Sequence, residues 1–394
     1  MIGLGDTSSD IRFAAVQWVG EEKLASQRGR VESILADTNV SPKLLMACLA
    51  TLSLLDGVPP SEFEKTPPVM QLMKIVADGQ RPAALRATAL QMVPASTAEL
   101  STKLLLEFAK SDDAGLKTQA VRTLQQSGRA EGIPLLLEIA ADENAETSLR
   151  LDAIAGLCAT PHDQPLPANI EQFLLDAIHN RLRFRAASEQ AQCRLEAIRA
   201  LRGRGTPGSK TGEALRAVRE TASGNRELVE ALDLAIDGKS SSPSDSQLST
   251  LNSQPTPDSG RRVFYHHQGP LCFKCHTVNG RGGNVGPDLS VIARTMNREK
   301  LLGSILEPSK EISPQFLTWT ITTDDGKTHT GIMVTENGGG DVELGDTQGN
   351  VTKIPRKSIE ERAPSNVSVM PQGLHQRMTS RELSDLLDYL ETLK

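Results

Sequence analysis

Aromatic residues are scarce in this chain of 394 residues: eight Phe, two Trp and two Tyr make up 3% of it. A β-sandwich core built on large rings is hard to assemble from so few, and helices packed through Leu, Ala, Ile and Val suit the composition better. No run of eighteen apolar residues occurs, so no segment reads as a membrane-spanning helix. The first ten residues, Met1 to Asp10, lack a basic segment followed by an apolar one and are not a signal peptide. The five cysteines are too few for a dense disulfide framework. Basic charge is also short. Acidic residues number 49 against 43 basic ones, all of the excess lies before residue 259, and Ser259 to Lys394 carries sixteen of each sign. Nucleic-acid binding has no electrostatic support at that balance.

What the chain does have, first, is a repeat. The windows Ile11–Val19, Leu44–Leu52, Leu85–Val93, Leu116–Leu124, Leu149–Leu157 and Cys193–Leu201 share apolar residues at positions 1, 5, 6 and 9, and all but the second carry a base at position 2. That spacing makes one face of a helix, and the small residue at position 5 lets a neighbour approach closely. The starts are separated by 33, 41, 31, 33 and 44 residues. Second helices are expected between them, near 68–78, 98–111, 132–141 and 169–180. Helix pairs at this period are the mark of an α-solenoid, and the windows look like HEAT-type repeats. The array is expected over residues 1–237, as a scaffold or as a docking surface for another protein. The bases are expected on solvated, salt-bridged faces. Cys48 and Cys193 fall on apolar faces and read as buried structural thiols. Cys158 is harder to place, and His162 and His179 stand alone.

Residues 238–258 are rich in Ser, Thr, Gln, Asn and Pro. Such a stretch cannot bury enough apolar surface to offset chain entropy, so it reads as a flexible tether that would let the C-terminal third of the chain swing.

That C-terminal third contains Cys272-Phe273-Lys274-Cys275-His276. Two thiols three positions apart, followed at once by an imidazole, can add across the two vinyl groups of a haem while the histidine ligates its iron. Three other readings compete. A structural zinc wants four ligands, and the remaining cysteines are isolated upstream. A redox disulfide would open a helix in a thioredoxin-like strand-helix pattern, which does not precede Cys272. A reduced pair without function would leave reactive groups exposed. Haem stands ahead of all three.

The neighbouring residues strengthen that reading. Gly280-Arg281-Gly282-Gly283-Asn284-Val285-Gly286-Pro287-Asp288-Leu289 follows the motif, and Ser368-Val369-Met370-Pro371-Gln372-Gly373-Leu374 comes much later. Together these residues resemble the cytochrome c family. More narrowly, Gly260 to Lys394 is similar to the haem-binding domain of large exported proteins of planctomycetes and their relatives. The likeness lies in Gly260-x-x-Val263-Phe264, the Cys-x-x-Cys-His motif, Val285 to Leu289, Ser304 to Ser309 and Val367 to Pro371, and it covers about a third of the chain.

The resemblance implies a class I-like cytochrome c domain over 259–394, with one haem c attached to Cys272 and Cys275. His276 would be the iron ligand, the Pro287 carbonyl would orient it, and Met370 would be the sixth ligand. Met296, Met333, Met378, His266, His267, His329 and His375 are rivals for that last place. Haem attachment of this kind also implies export to the periplasm, so the missing leader points to a fragment or a late start site.

Within the module, a first helix is expected over Ser259–Gln268, with Gly260 and Phe264 against a last helix, Ser380–Leu393, capped by Thr379 or Ser380. The alternating segments 316–323, 330–335, 342–344 and 351–354 predict a four-stranded antiparallel insert over 315–356. The fold class expected is thus mainly α, a HEAT-like solenoid followed by the cytochrome c domain with its β insert. No triad, P-loop or carboxylate pair stands out, so electron transfer between donor and acceptor proteins is expected in preference to catalysis. The alternatives are the electron-accepting tail of a larger exported dehydrogenase and a repeat-based binding protein without haem.

Overall fold

The computed structural model describes residues 3–37, 40–58, 69–159, 164–238, 257–336 and 340–394. The chain is mainly helical, with a small antiparallel sheet toward the C-terminus. The first helices are α1 (Ser9–Glu21), α2 (Arg28–Ile34), α3 (Pro42–Leu55), α4 (Val69–Ala77), α5 (Ala83–Met92), α6 (Thr102–Ala109) and α7 (Ala114–Ser127). They are followed by α8 (Ile133–Ala141), α9 (Thr147–Gly156), α10 (Ala168–Ile178), α11 (Ala187–Ala200), α12 (Lys210–Thr221) and α13 (Arg226–Asp237). His162 and most of the Ser/Pro-rich stretch lie outside the described residues.

Local chemistry explains where these helices start. Ser41, Ser101, Asp113, Ser209 and Asn225 each accept a hydrogen bond from the backbone N–H three residues on, and Pro42 fills the first position of α3. The repeat windows fall on α1, α3, α5, α7, α9 and α11, and their apolar positions are largely the buried ones. Leu116, Ala120, Val121 and Leu124 are all buried, as are Cys193, Ala197, Ile198 and Leu201. Ile11 is an exception, 49% exposed.

The bases at position 2 are not the solvated charges expected of them. Arg86 Nε donates to the Val76 carbonyl at 3.0 Å, Arg150 Nε to Ala140 at 3.2 Å and Arg194 Nε to Ile178 at 2.8 Å. Each acceptor is in the last two residues of the preceding helix, where carbonyls have no partner within the helix. A guanidinium there satisfies one of them and also faces the negative end of the helix dipole. The recurrent arginine is therefore a clamp within each helix pair. Arg12, in the first window, pairs with Asp37 at 2.7 Å instead.

The chain groups into two compact units, one of Met1–Gly132 with Asn279–Arg281 and one of Ile133–Val278 with Gly282–Lys394. In the first, α1 packs on α3, α4 on α5, α6 on α7 and α5 on α7. Arg281 belongs to it through bonds to the Leu90 carbonyl, Thr123 Oγ1 and Gln126 Oε1.

In the second unit α8 packs on α9, α9 on α11, α10 on α11 and α11 on α13. The same unit holds α14 (Pro257–Tyr265), the two-residue strands β1 (Thr277–Val278) and β2 (Arg281–Gly282), α15 (Arg298–Leu306) and α16 (Ser380–Glu391). Only Arg281 of β2 counts with the first unit. The expected boundary at 238–258 therefore does not separate two bodies. Helices α8–α13 share a unit with everything C-terminal to the tether, and the swinging arrangement does not hold for them.

Helix α14 is shifted from its expected 259–268, because Pro257 is preset for a first helical turn and the chain turns off at His266. Its partner is α16, opened by a capping box between Thr379 and Glu382. The two lie very close: a Cβ on Gly260 would overlap the Asp385 carbonyl and the Tyr389 Cβ. Phe264, 1% exposed, meets the Tyr389 ring edge-on at 5.9 Å.

The sheet runs β6 (Val351–Ile354), β5 (Val342–Gly345), β4 (Thr328–Glu336), β3 (Thr318–Thr323) and β7 (Ile359–Ser365), all antiparallel. Strand β7 was not expected and extends the insert beyond residue 356. Its sequence, Ile-Glu-Glu-Arg-Ala-Pro-Ser, is largely exposed and has no alternation, and its proline is tolerated because β7 is an edge. Among the described residues no helix is long and apolar enough to cross a membrane.

Arg150, 1% exposed, also pairs with the buried Glu189 at 3.0 Å. Arg150→Ala is expected to cost about 3–5 kcal/mol in urea unfolding, by stranding that carboxylate. Arg181→Ala, at an exposed pair, is expected to cost about 0.5 kcal/mol or less.

Candidate functional site

The Cys-x-x-Cys-His segment forms one tight helical turn. Leu271 enters it with φ +63°, and the Cys272 carbonyl accepts from the Cys275 N–H at 3.2 Å and the His276 N–H at 3.0 Å. Residues three and four apart on such a turn share a face, so both sulfurs and the imidazole are presented on one side.

The glycine-rich loop then folds back over this turn. Gly283 N–H donates to Phe273 O, Gly286 N–H to Cys275 O and Leu289 N–H to Thr277 O, each at 2.8 Å. The loop needs its glycines. A Cβ on Gly283 would strike the Lys274 carbonyl, and one on Gly286 would lie 2.7 Å from the His276 ring.

The Pro287 carbonyl lies 2.9 Å from His276 Nδ1. A carbonyl can only accept, so Nδ1 carries the proton and Nε2 keeps a free lone pair. Burial pushes the His276 pKa below its ordinary value, which the Pro287 bond partly offsets, so the ring is neutral near pH 7. Burial likewise pushes Cys272 up to about 12 and raises Cys275, which Asp346 raises further. Both side chains are thiols, not thiolates.

Met370 comes to the same place from far along the chain. It packs, with Cys272, Phe273, Leu289 and Met296, against the core of α14, α15 and α16, while its neighbour Val369 is in the cluster that holds Cys275 and Val285. Three bonds fix the loop: Ser368 N–H to Ser309 Oγ at 3.1 Å, Met370 N–H to Ser368 Oγ at 3.1 Å, and Thr318 Oγ1 to the Val367 carbonyl at 2.6 Å.

The insert also reaches the motif. A Cβ on Gly349, in the turn between β5 and β6, would meet the Lys274 carbonyl at 2.4 Å, and one on Gly345 would meet Val285 at 2.7 Å. Nothing in the sequence signals that contact.

The rivals to Met370 differ in how far they are committed. Met378 is 1% exposed in the core, Met333 packs on the sheet, His329 is in β4 and His267 stacks edge-on against Phe273. Met296 shares the cluster of Met370. His266 is fully buried among the helices. It accepts from Gln268 N–H through Nδ1 at 3.0 Å, which leaves Nε2–H to face Glu196 at 3.4 Å and Cys158 Sγ at 3.9 Å. Cys, His and Glu in a row suggest a nucleophile, but Nε2 already carries a proton and cannot take one from the thiol. Burial pushes Cys158 up to about 12, and its sulfur lies 3.1 Å from the Ala155 carbonyl. Cys158 is a buried structural thiol, like Cys48 and Cys193.

Glu196 anchors a buried ionic network that sequence reasoning missed entirely. It pairs with Arg199 at 2.8 Å and Arg262 at 3.3 Å; Arg261 and Arg262 reach Asp152, and Arg199 and Arg202 reach Glu382. Burial alone would raise the Glu196 pKa, but Arg199, His266 and Arg262 outweigh it and hold the carboxyl well below its usual range. A cleft of about 1010 Å³ opens beside the network, lined by Glu189, Glu196, Arg199 and Arg262 among others. None of its lining residues belongs to the motif.

No protein-family model and no curated protein matches the chain. Among the described residues no group of three or more His, Cys, Asp or Glu is arranged to hold a metal ion, so Cys272 and Cys275 lack the further ligands a structural zinc wants. The donor set fits a covalently held haem better: two thiols and an imidazole with Nε2 available on one turn, a thioether in the adjoining cluster, and a glycine where a side chain would displace the ring.

The Nδ1–H proton of His276, as a hydrogen-bonded imidazole signal in NMR, is expected to shift or broaden in Gly286→Ala. It should persist in Gly303→Ala, where an added methyl meets nothing within 4 Å. A second outcome concerns His266, whose pKa burial, together with Arg199 and Arg202, lowers from 6.5 to about 4 despite Glu196. Between those values the unfolded chain binds a proton that the folded chain refuses, so stability falls as pH drops through that window. The loss is on the order of 3 kcal/mol, and His266→Gln should flatten this part of the curve in urea midpoints measured against pH.

Proposed function

We propose that residues 259–394 are a class I-like cytochrome c domain that carries one covalently attached haem and transfers single electrons between protein partners, behind a HEAT-like helical array. The observation that carries this is the His276–Pro287 hydrogen bond. It fixes the tautomer that leaves Nε2 free, on the turn that presents Cys272 and Cys275. In this reading the two sulfurs hold the macrocycle as thioethers, His276 ligates the iron and Met370 offers its thioether as sixth ligand. Bound in this way, the haem supplies one-electron exchange between ferric and ferrous iron. The protein orients the imidazole through Pro287, keeps a side chain away from it at Gly286, and sets the loop of Met370 through Ser309 and Thr318. A thioether opposite an imidazole favours the reduced state relative to two imidazoles. With two axial ligands supplied by the chain, the domain is a relay and not a catalyst, and haem attachment of this kind goes with a location outside the cytoplasm.

The test is protein matured in a haem-attaching host. A c-type pyridine haemochrome spectrum and a mass gain of one haem are expected, and both should be lost in Cys272→Ala/Cys275→Ala. Met370→Ala should keep the haem, lose the sulfur-to-iron charge-transfer band at the red end of the visible spectrum, and show a lower reduction potential. A colourless, unmodified wild-type chain from that host would sink the proposal.

A further inference from the structure

His375 lies five residues beyond Met370, on the 3-10 turn Leu374–Arg377. Its Nδ1 is buried and has no hydrogen-bond partner. Leaving such a nitrogen unsatisfied costs on the order of 1–3 kcal/mol, so an imidazole placed this way asks for an acceptor. The turn packs against α15, whose Leu301 and Ile305 belong to the cluster that Cys272 and Met370 join. The next charged side chain on the turn, Arg377, is exposed and lies close enough to Cys272 for its charge to act on that sulfur. An unsatisfied donor and a guanidinium on one turn beside the motif are the partners a carboxylate requires. Every haem brings two carboxylates on flexible propionate arms.

We propose that His375 is a positioning residue that donates its Nδ1–H to a propionate of the bound haem, with Arg377 as the accompanying positive charge. This rests on the haem reading above. It also removes His375 from the rivals for the iron. The inward nitrogen is Nδ1, the one nearer the backbone, whereas a histidine that reaches a metal across a site generally extends Nε2 and donates from Nδ1.

The experiment is protein film voltammetry on haem-loaded full-length protein, comparing wild type with His375→Ala, His375→Asn and Arg377→Gln. Asn carries its amide N–H close to where His carries Nδ1–H. His375→Ala and Arg377→Gln are expected to lower the reduction potential, because an uncompensated propionate charge favours ferric iron. His375→Asn should restore the potential, and the sulfur-to-iron band should be unchanged in all three. If His375→Ala retains too little haem to measure, retention in His375→Asn supports the assignment, and equal loss in both overturns it. Equal potentials in wild type and His375→Ala, an equal fall in the Ala and Asn variants, or loss of the sulfur-to-iron band in His375→Ala would also overturn it. A wild-type chain that takes up no haem would refute the broader reading instead.

Discussion

The arrangement of the second unit depends on Glu196. Its carboxylate is 3% exposed and takes charge from Arg199, Arg262 and His266. Through Arg199 the network continues to Glu382 on α16, and through Arg262 to Asp152 on α9. Burying so many charges costs several kcal/mol per ion, and the pairs recover that only with good geometry. What such a network supplies is register. Leucine faces can slide past one another at small cost, but Arg199 cannot leave Glu382 without stranding both charges. The helices bearing Asp152, Glu196 and Arg199 are thereby fixed to the two helices that support the motif.

This network changes what the helical region is. Read along the chain, the Ser/Pro-rich stretch is the natural joint, because it is where hydrophobic periodicity stops. Read through space, it is a connection between segments that already pack together, since α14 and α16 take their ionic partners from α9 and α11. Helices α8–α13 are therefore part of the body that holds the motif. The sequence could not show this. Arg261, Arg262 and Glu382 look like ordinary surface charges on amphipathic helices, and nothing local tells a solvated arginine from one paired across 66 or more residues.

Much else was legible, for stated reasons. The apolar spacing of the windows marked the helices, and Thr379 with Glu382 marked the start of α16, because helix faces and caps are local chemistry. The four strands that alternate were found, and β7 was not, because an exposed edge strand has no face to bury and so no pattern. The arginine in each window was visible as a recurrence, but its role was not. That role depends on the carbonyl of a helix ending ten or sixteen residues earlier, a relation of three-dimensional position that charge patterning does not encode.

The motif shows how a short pattern becomes a geometry. Five residues supply the groups, but a single turn has no stiffness of its own. Here it is held from two directions. The glycine-rich loop bonds to Phe273, Cys275 and Thr277, and the turn between β5 and β6 lies on the carbonyl of Lys274, with Gly283 and Gly349 both against that one oxygen. A side chain at either glycine would have to displace the peptide between the two cysteines. The insert is thus more than an appended sheet: its tip and the loop share the task of fixing the Lys274–Cys275 peptide. That explains why a sheet of little local hydrophobic content is kept between the motif and Met370. It has to be in the chain at that point to bring Gly349 onto one side of the turn and Val369 onto the other.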